Sequence, residues 1–144
     1  MTFRPESIHE RLRKLREVLA QLESLRSVSR EDFVADYRHY WLAERGLQLA
    51  AEALFDIGNH LLAGCFHVSA ATYEDIPRRL EEHGVLGSEL RQRLRGLGGF
   101  RNLLVHDYLQ LDRNQLYGFL LNDLGSLADY ADAIESFLDR HAQG

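Results

Sequence analysis

At 144 residues, with 45% hydrophobic and 27% charged side chains, the chain has the size and balance of one domain whose core needs no disulfide or metal to stand. Its single cysteine, Cys65, excludes an intrachain disulfide framework and a multi-cysteine zinc site, and no apolar run reaches the roughly 18–20 residues of a membrane span. Seventeen basic against twenty-two acidic residues leave a net charge of −5, which excludes coating nucleic acid by bulk positive charge but not a local site.

The only prolines are Pro5 and Pro77, and the apolar periodicity is helical throughout, so the chain reads as one all-α antiparallel bundle over residues 1–144. Ser7 and Glu10 form a capping-box pattern before a stripe of Ile8, Leu12, Leu15, Leu19 and Leu22. Ser29 with Asp32 opens a long central helix whose core face is expected to hold Phe33, Tyr37, Trp41, Leu47, Ala51, Leu54, Ile57 and Leu61, ending at Gly64. Gly46 and Gly58 interrupt its propensity, which predicts close packing or a bend there. A short connector starts near Ile76-Pro77 and stops at Gly84. Ser88 opens a fourth helix with Leu90, Leu94, Leu97, Phe100 and Leu104, and its Gly96, Gly98 and Gly99 call for close approach by a neighbour. Asp112 with Gln115 opens a fifth, carrying Leu116, Phe119, Leu120, Leu124, Leu127, Ala131, Ile134 and Leu138.

The densest polar cluster in an apolar stretch is Phe100-Arg-Asn-Leu-Leu-Val-His-Asp-Tyr108. An arginine holds phosphate with two parallel hydrogen bonds, and a histidine exchanges a proton near neutral pH, so Arg101 and His106 together suit cleavage of a phosphodiester. Asn102 stands one helical turn before His106 and can orient it or a phosphate oxygen. Yet on an ideal helix His106 lies about 140° around from Arg101, so the two converge only through the arginine's reach, a helix end near Asp107, or a second copy of the chain. Spacing alone equally fits a helix C-terminus with a dipole-paired histidine and a surface arginine.

Other polar features read more plainly. His39, His60 and His67 lack metal-ligand spacing, so neither metal nor cofactor is expected. Glu44, Glu52 and Asp56 make an acidic stripe, either solvated or pairing Arg45 or Arg101. Trp41 and Cys65 read as core. Arg91-Gln-Arg-Leu-Arg95 reads as a solvated basic face that can also guide RNA phosphates, and Gly96-Leu-Gly-Gly99 lacks the preceding strand of a nucleotide-binding loop.

The segment Arg101-Asn-Leu-Leu-Val-His106-Asp-Tyr108 resembles the R-x-x-x-x-H-x-Y signature of the HepT-like toxins, within the HEPN superfamily of helical-bundle ribonucleases. Glu44-Arg-Gly-Leu-Gln-Leu-Ala-Ala-Glu-Ala-Leu-Phe-Asp-Ile-Gly-Asn-His60 is similar to that family's second-helix pattern. The resemblance implies a homodimer whose signature helices line a shared cleft, metal-independent cleavage of RNA with Arg101, Asn102 and His106 as catalytic residues, and a cytoplasmic toxin. It also implies a partner, a small MntA-like nucleotidyltransferase antitoxin that transfers AMP to Tyr108. Two other readings stay open: a non-catalytic helical subunit that binds substrate or partner for a nucleotidyltransferase, and a structural four-helix adaptor.

Overall fold

The structure is a computed structural model that describes residues 3–106 and 111–143. Eight α-helices lie among them: α1 (Pro5–Glu23), α2 (Arg30–Ala35), α3 (Tyr37–Leu61), α4 (Asp75–Glu82), α5 (Ser88–Arg93), α6 (Leu97–His106), α7 (Arg113–Asn122) and α8 (Leu124–Gln143), and no strand occurs among the described residues. Three long helices and one broken line make the bundle. Helix α1 runs antiparallel to α3, as Leu22 lies against Gly46 and Arg11 pairs with Asp56, and it also lies against α8 through Arg16, whose guanidinium bridges Asp132 and Glu135. The fourth position is shared by α6 and α7, which run antiparallel to α3: Arg101 on α6 meets Glu52, and Arg113 at the start of α7 stacks on Tyr40.

The apolar stripes pack as the sequence predicts in most places. Ile8, Leu12, Leu15, Leu19 and Leu22 are buried, as are Leu47, Ala51, Leu54, Ile57 and Leu61 of α3 and Leu116, Leu120, Leu124, Leu127, Ala131, Ile134 and Leu138 of the last two helices. Tyr130 is wholly enclosed; its hydroxyl donates to the Leu54 carbonyl at 2.8 Å, and burial raises its pKa above the ordinary tyrosine value. Gly58 lets α3, α4 and α8 meet, since a Cβ there would stand 2.5 Å from Ile76 Cγ2 and 3.0 Å from the Tyr130 hydroxyl. That is the close packing expected of it.

Three predicted helices break where the apolar period runs on. The long central helix divides at Asp36, whose extended backbone (φ −117°, ψ 113°) lets its carboxylate cap Arg38 N–H at 2.9 Å and start α3 afresh. The fourth divides between Leu94 and Leu97, where Gly96 takes φ +84°, and the fifth divides at Asp123. Caps also shift. Ser29 and Asp112 do cap their helices, but Ser7 serves Arg11 instead, while α1 starts on Pro5 and α5 starts at Ser88 itself behind Gly87. Trp41 and Tyr37 are corrections to the expected core: they are 59% and 54% exposed, because Trp41 stands six residues before buried Leu47, about 120° around α3 from it, and Tyr37 lies one turn away on the side of Trp41. Cys65 is only half-buried, in a single π-turn (Leu62–Phe66) that continues α3, although burial still raises its thiol pKa.

Candidate functional site

Helix α6 is placed by its first turn. Its N-terminal amides have no partner within the helix, and the Glu74 carboxylate fills that need by accepting from Gly96 N–H at 3.2 Å and Gly98 N–H at 2.6 Å. Gly98 allows it, for a Cβ there would lie 3.0–3.1 Å from Glu74 side-chain and backbone atoms. This is the close approach that the glycine cluster predicts. Leu97, Gly98 and Leu104 then face the core, and Phe100 stacks in parallel on Phe119 of α7, ring centres 4.6 Å apart.

With those residues inward, Arg101 falls beside α3. Its side chain is only 16% exposed. The guanidinium carbon stands 4.6 Å from the centre of the Tyr73 ring, Nη2 lies 3.5 Å from Glu52 Oε1, and Nη1 donates to Asn102 Oδ1 at 3.2 Å. Its Nε is enclosed without a hydrogen-bond partner among the described residues. Thus one of the two uses foreseen for the acidic stripe is realised at Glu52, which pairs Arg101. Asp56 turns instead to Arg11 and His60, and Glu44 is half-buried, its carboxyl pKa raised by desolvation that Arg113 partly opposes. Arg45 is exposed.

His106 closes the described part of α6 and is exposed, as is Asn102. No hydrogen bond joins His106 to Arg101 or Asn102 among the described residues; the Asn102 oxygen faces the arginine instead. Because α6 stays helical from Arg101 to His106, the two are turned about 140° apart and rise about 7.5 Å along the axis. Asp107 and Tyr108 lie outside the described residues.

Two cavities flank α6. One, of about 510 Å³, opens between α6, the end of α3 and the segment before α4, with Asn59, Thr72, Tyr73 and Asn102 on its walls and the Gly98–Gly99 backbone on its floor. The other, of about 440 Å³, lies on the far side between α6, α7 and α8, with Arg93, Arg95 and the Phe100–Phe119 pair among its lining. Two residues of the basic run contribute there, Arg93, which pairs with Asp129 at 2.8 Å, and the exposed Arg95, whereas Arg91 is not on its lining and pairs with Glu81. Sequence reasoning missed Tyr73 and Asn59. Asn59 lies inside the Glu44–His60 segment without standing out in it, Tyr73 belongs to no motif, and only the return of the chain before α4 brings Tyr73 onto Arg101. No group of three or more histidine, cysteine, aspartate or glutamate side chains is arranged to hold a metal ion among the described residues, and no described helix is long and apolar enough to cross a membrane.

A family model described as ribonuclease HepT-like matches residues 8–134. The chain is 28% identical over 134 residues to the tRNA nuclease HepT of Aphanizomenon flos-aquae, covering 93% of this chain and 91% of that one. The solved structure of the cytosolic protein YutE from Bacillus subtilis superposes with a TM-score of 0.84 at 24% identity, over 98% of this chain and 95% of that one. A tri-AMPylated HEPN toxin from Shewanella oneidensis, solved in complex with MNT antitoxin, superposes with a TM-score of 0.80 at 20% identity, over 90% and 96% of the two chains. At these identities the structural likeness is one of fold, the HEPN helical bundle.

Proposed function

The chain belongs to the HepT-like ribonuclease family and is the endoribonuclease of a toxin–antitoxin system, and from that premise we propose that it cuts RNA at a site built from Arg101, Asn102 and His106 across a homodimer. The observation that carries this reading is the 140° turn between Arg101, tucked against α3, and His106, exposed at the end of α6. A single copy keeps the phosphate-binding cation and the proton-transfer group apart. Two copies that pair along α6 bring each arginine to the other's histidine.

In the reaction we propose, the ribose 2′-hydroxyl attacks the adjacent phosphorus, and the bond to the 5′-oxygen breaks. His106 exchanges the protons that these two oxygens lose and gain, one accepted and one donated. Arg101 holds the non-bridging oxygens where charge develops. Asn102, which already touches the guanidinium, keeps its fork aligned. The products are a 2′,3′-cyclic phosphate and a 5′-hydroxyl. We assign control to a nucleotidyltransferase of the MntA kind that adds AMP to Tyr108; support comes from the signature tyrosine and from the AMPylated relative bound to its MNT antitoxin.

Co-expression of Arg101→Ala and His106→Ala chains tests the shared site. In mixed dimers one of the two sites regains both groups, so activity should return to about a quarter of wild type although each variant alone is inert. No recovery, with mixed dimers verified by differential tagging, would overturn the two-subunit site.

A further inference from the structure

Beside the phosphate-binding arginine lies the 510 Å³ cleft, and its chemistry differs from that of Arg101. None of its lining side chains is a lysine or arginine, so it offers no side-chain cation to hold a second phosphate. Its one carboxylate, Glu74, is committed to the two amides of the α6 N-terminus. What remains is flat and neutral. Tyr73 gives an aromatic wall, 36% exposed, braced from behind by Phe55 with ring centres 4.9 Å apart. Asn59 is exposed at the cleft wall, and Asn102, whose oxygen is taken by Arg101, keeps both amide hydrogens to give. The floor is glycine backbone at Gly98 and Gly99, which lets a planar group approach closely.

Two walls of this cleft touch the arginine directly: Tyr73 lies under the guanidinium and Asn102 accepts its Nη1 hydrogen. A nucleotide whose phosphate sits on Arg101 therefore has its base at the mouth of the cleft. Both faces of the Tyr73 ring are covered, by Arg101 and by Phe55, so a splayed-out base meets the ring's edge while the carboxamides meet its own polar edge. We infer that the cleft is a nucleobase subsite that accepts one unpaired base next to the scissile phosphate, packed against the exposed edge of Tyr73, with Asn59 and Asn102 as readers of its polar edge. The inference rests on the phosphate role proposed for Arg101.

The test uses full-length protein and short single-stranded RNAs with one cleavage site, carrying each of the four bases or an abasic ribose at either flanking position. At one flank, wild type should lose about tenfold in kcat/KM on the abasic substrate and should rank the four bases. Asn59→Ala, at an exposed position, should flatten that ranking and lose little more when the base is removed. A purely structural role for Asn59 would lower all five substrates alike, and that result overturns the subsite. So does a wild type that cuts all five equally at both flanks. If wild type cuts no RNA while folded and dimeric, the nuclease reading itself fails, which is a separate outcome.

Discussion

Replacing Arg101 by alanine separates catalysis from stability because the contacts of that side chain are few and weak. The substitution removes an ion pair to Glu52 at 3.5 Å, longer than a strong charge-assisted bond, and Glu52 is 41% exposed, so water takes the place of the guanidinium. It also removes a cation–π contact at 4.6 Å, worth about 0.5–2 kcal/mol, and an exposed hydrogen bond to Asn102. Together these amount to roughly 1–2 kcal/mol, or a fall in Tm of about 2–8 °C for a chain of this size. The loss of the group that stabilises the developing phosphate charge is larger, about 10²–10³ in rate. Purified Arg101→Ala, compared with wild type by thermal unfolding and by cleavage of RNA under single-turnover conditions, should show both numbers. Arg101→Lys keeps the charge but not the fork, and should fall between. Cleavage within tenfold of wild type, or a loss of activity that merely tracks a melting temperature lowered by more than about 10 °C, would refute the assignment.

Activity should survive EDTA and leave 2′,3′-cyclic phosphate ends, read by resistance of the upstream product's 3′ end to ligation until the cyclic phosphate is opened and the phosphate removed, and by direct 5′-phosphorylation of the downstream product; 5′-phosphate products would contradict attack by the 2′-hydroxyl. Tyr108→Phe should retain toxicity yet escape neutralisation when co-expressed with a cognate nucleotidyltransferase, and intact mass should show AMP on wild type only, because the added phosphate brings negative charge that repels RNA. An equal mass increase on the phenylalanine variant would move the modification elsewhere. Gly58→Ala should destabilise by about 1–2 kcal/mol, since overpacking against Ile76 and Tyr130 exceeds the gain in helix propensity, whereas Gly118→Ala on α7, with nothing within 4 Å of its new Cβ, should raise Tm.

The all-α class and most of the core were legible because burial follows the helical period, as the stripe from Ile8 to Leu22 shows. Helix breaks were not, since Asp36 and Asp123 interrupt the backbone without interrupting that period. Trp41 misleads for another reason: an approximate period stretches to include a ring that stands about 120° around α3 from Leu47, and it lies in solvent. Arg101, Asn102 and His106 were legible as types and spacing. Their divergence into two environments depends on which face of α6 the core claims, and Tyr73 and Asn59 reach the site only by tertiary return of the chain. The Glu52 pairing lay between these cases, visible as one of two uses of an acidic stripe but decided by packing.

The hold of Glu74 on the first turn of α6 has a dynamic consequence. One carboxylate ties the segment carrying Tyr73 to the helix carrying Arg101. Thermal motion that swings this segment away from α3 therefore drags the start of α6 along, and the spacing between aromatic wall and guanidinium behaves as a fixed gauge rather than a fluctuating gap. Glu74→Gln should loosen that gauge, raising hydrogen exchange at the Gly96 and Gly98 amides together while the core of α1 and α8 keeps its protection.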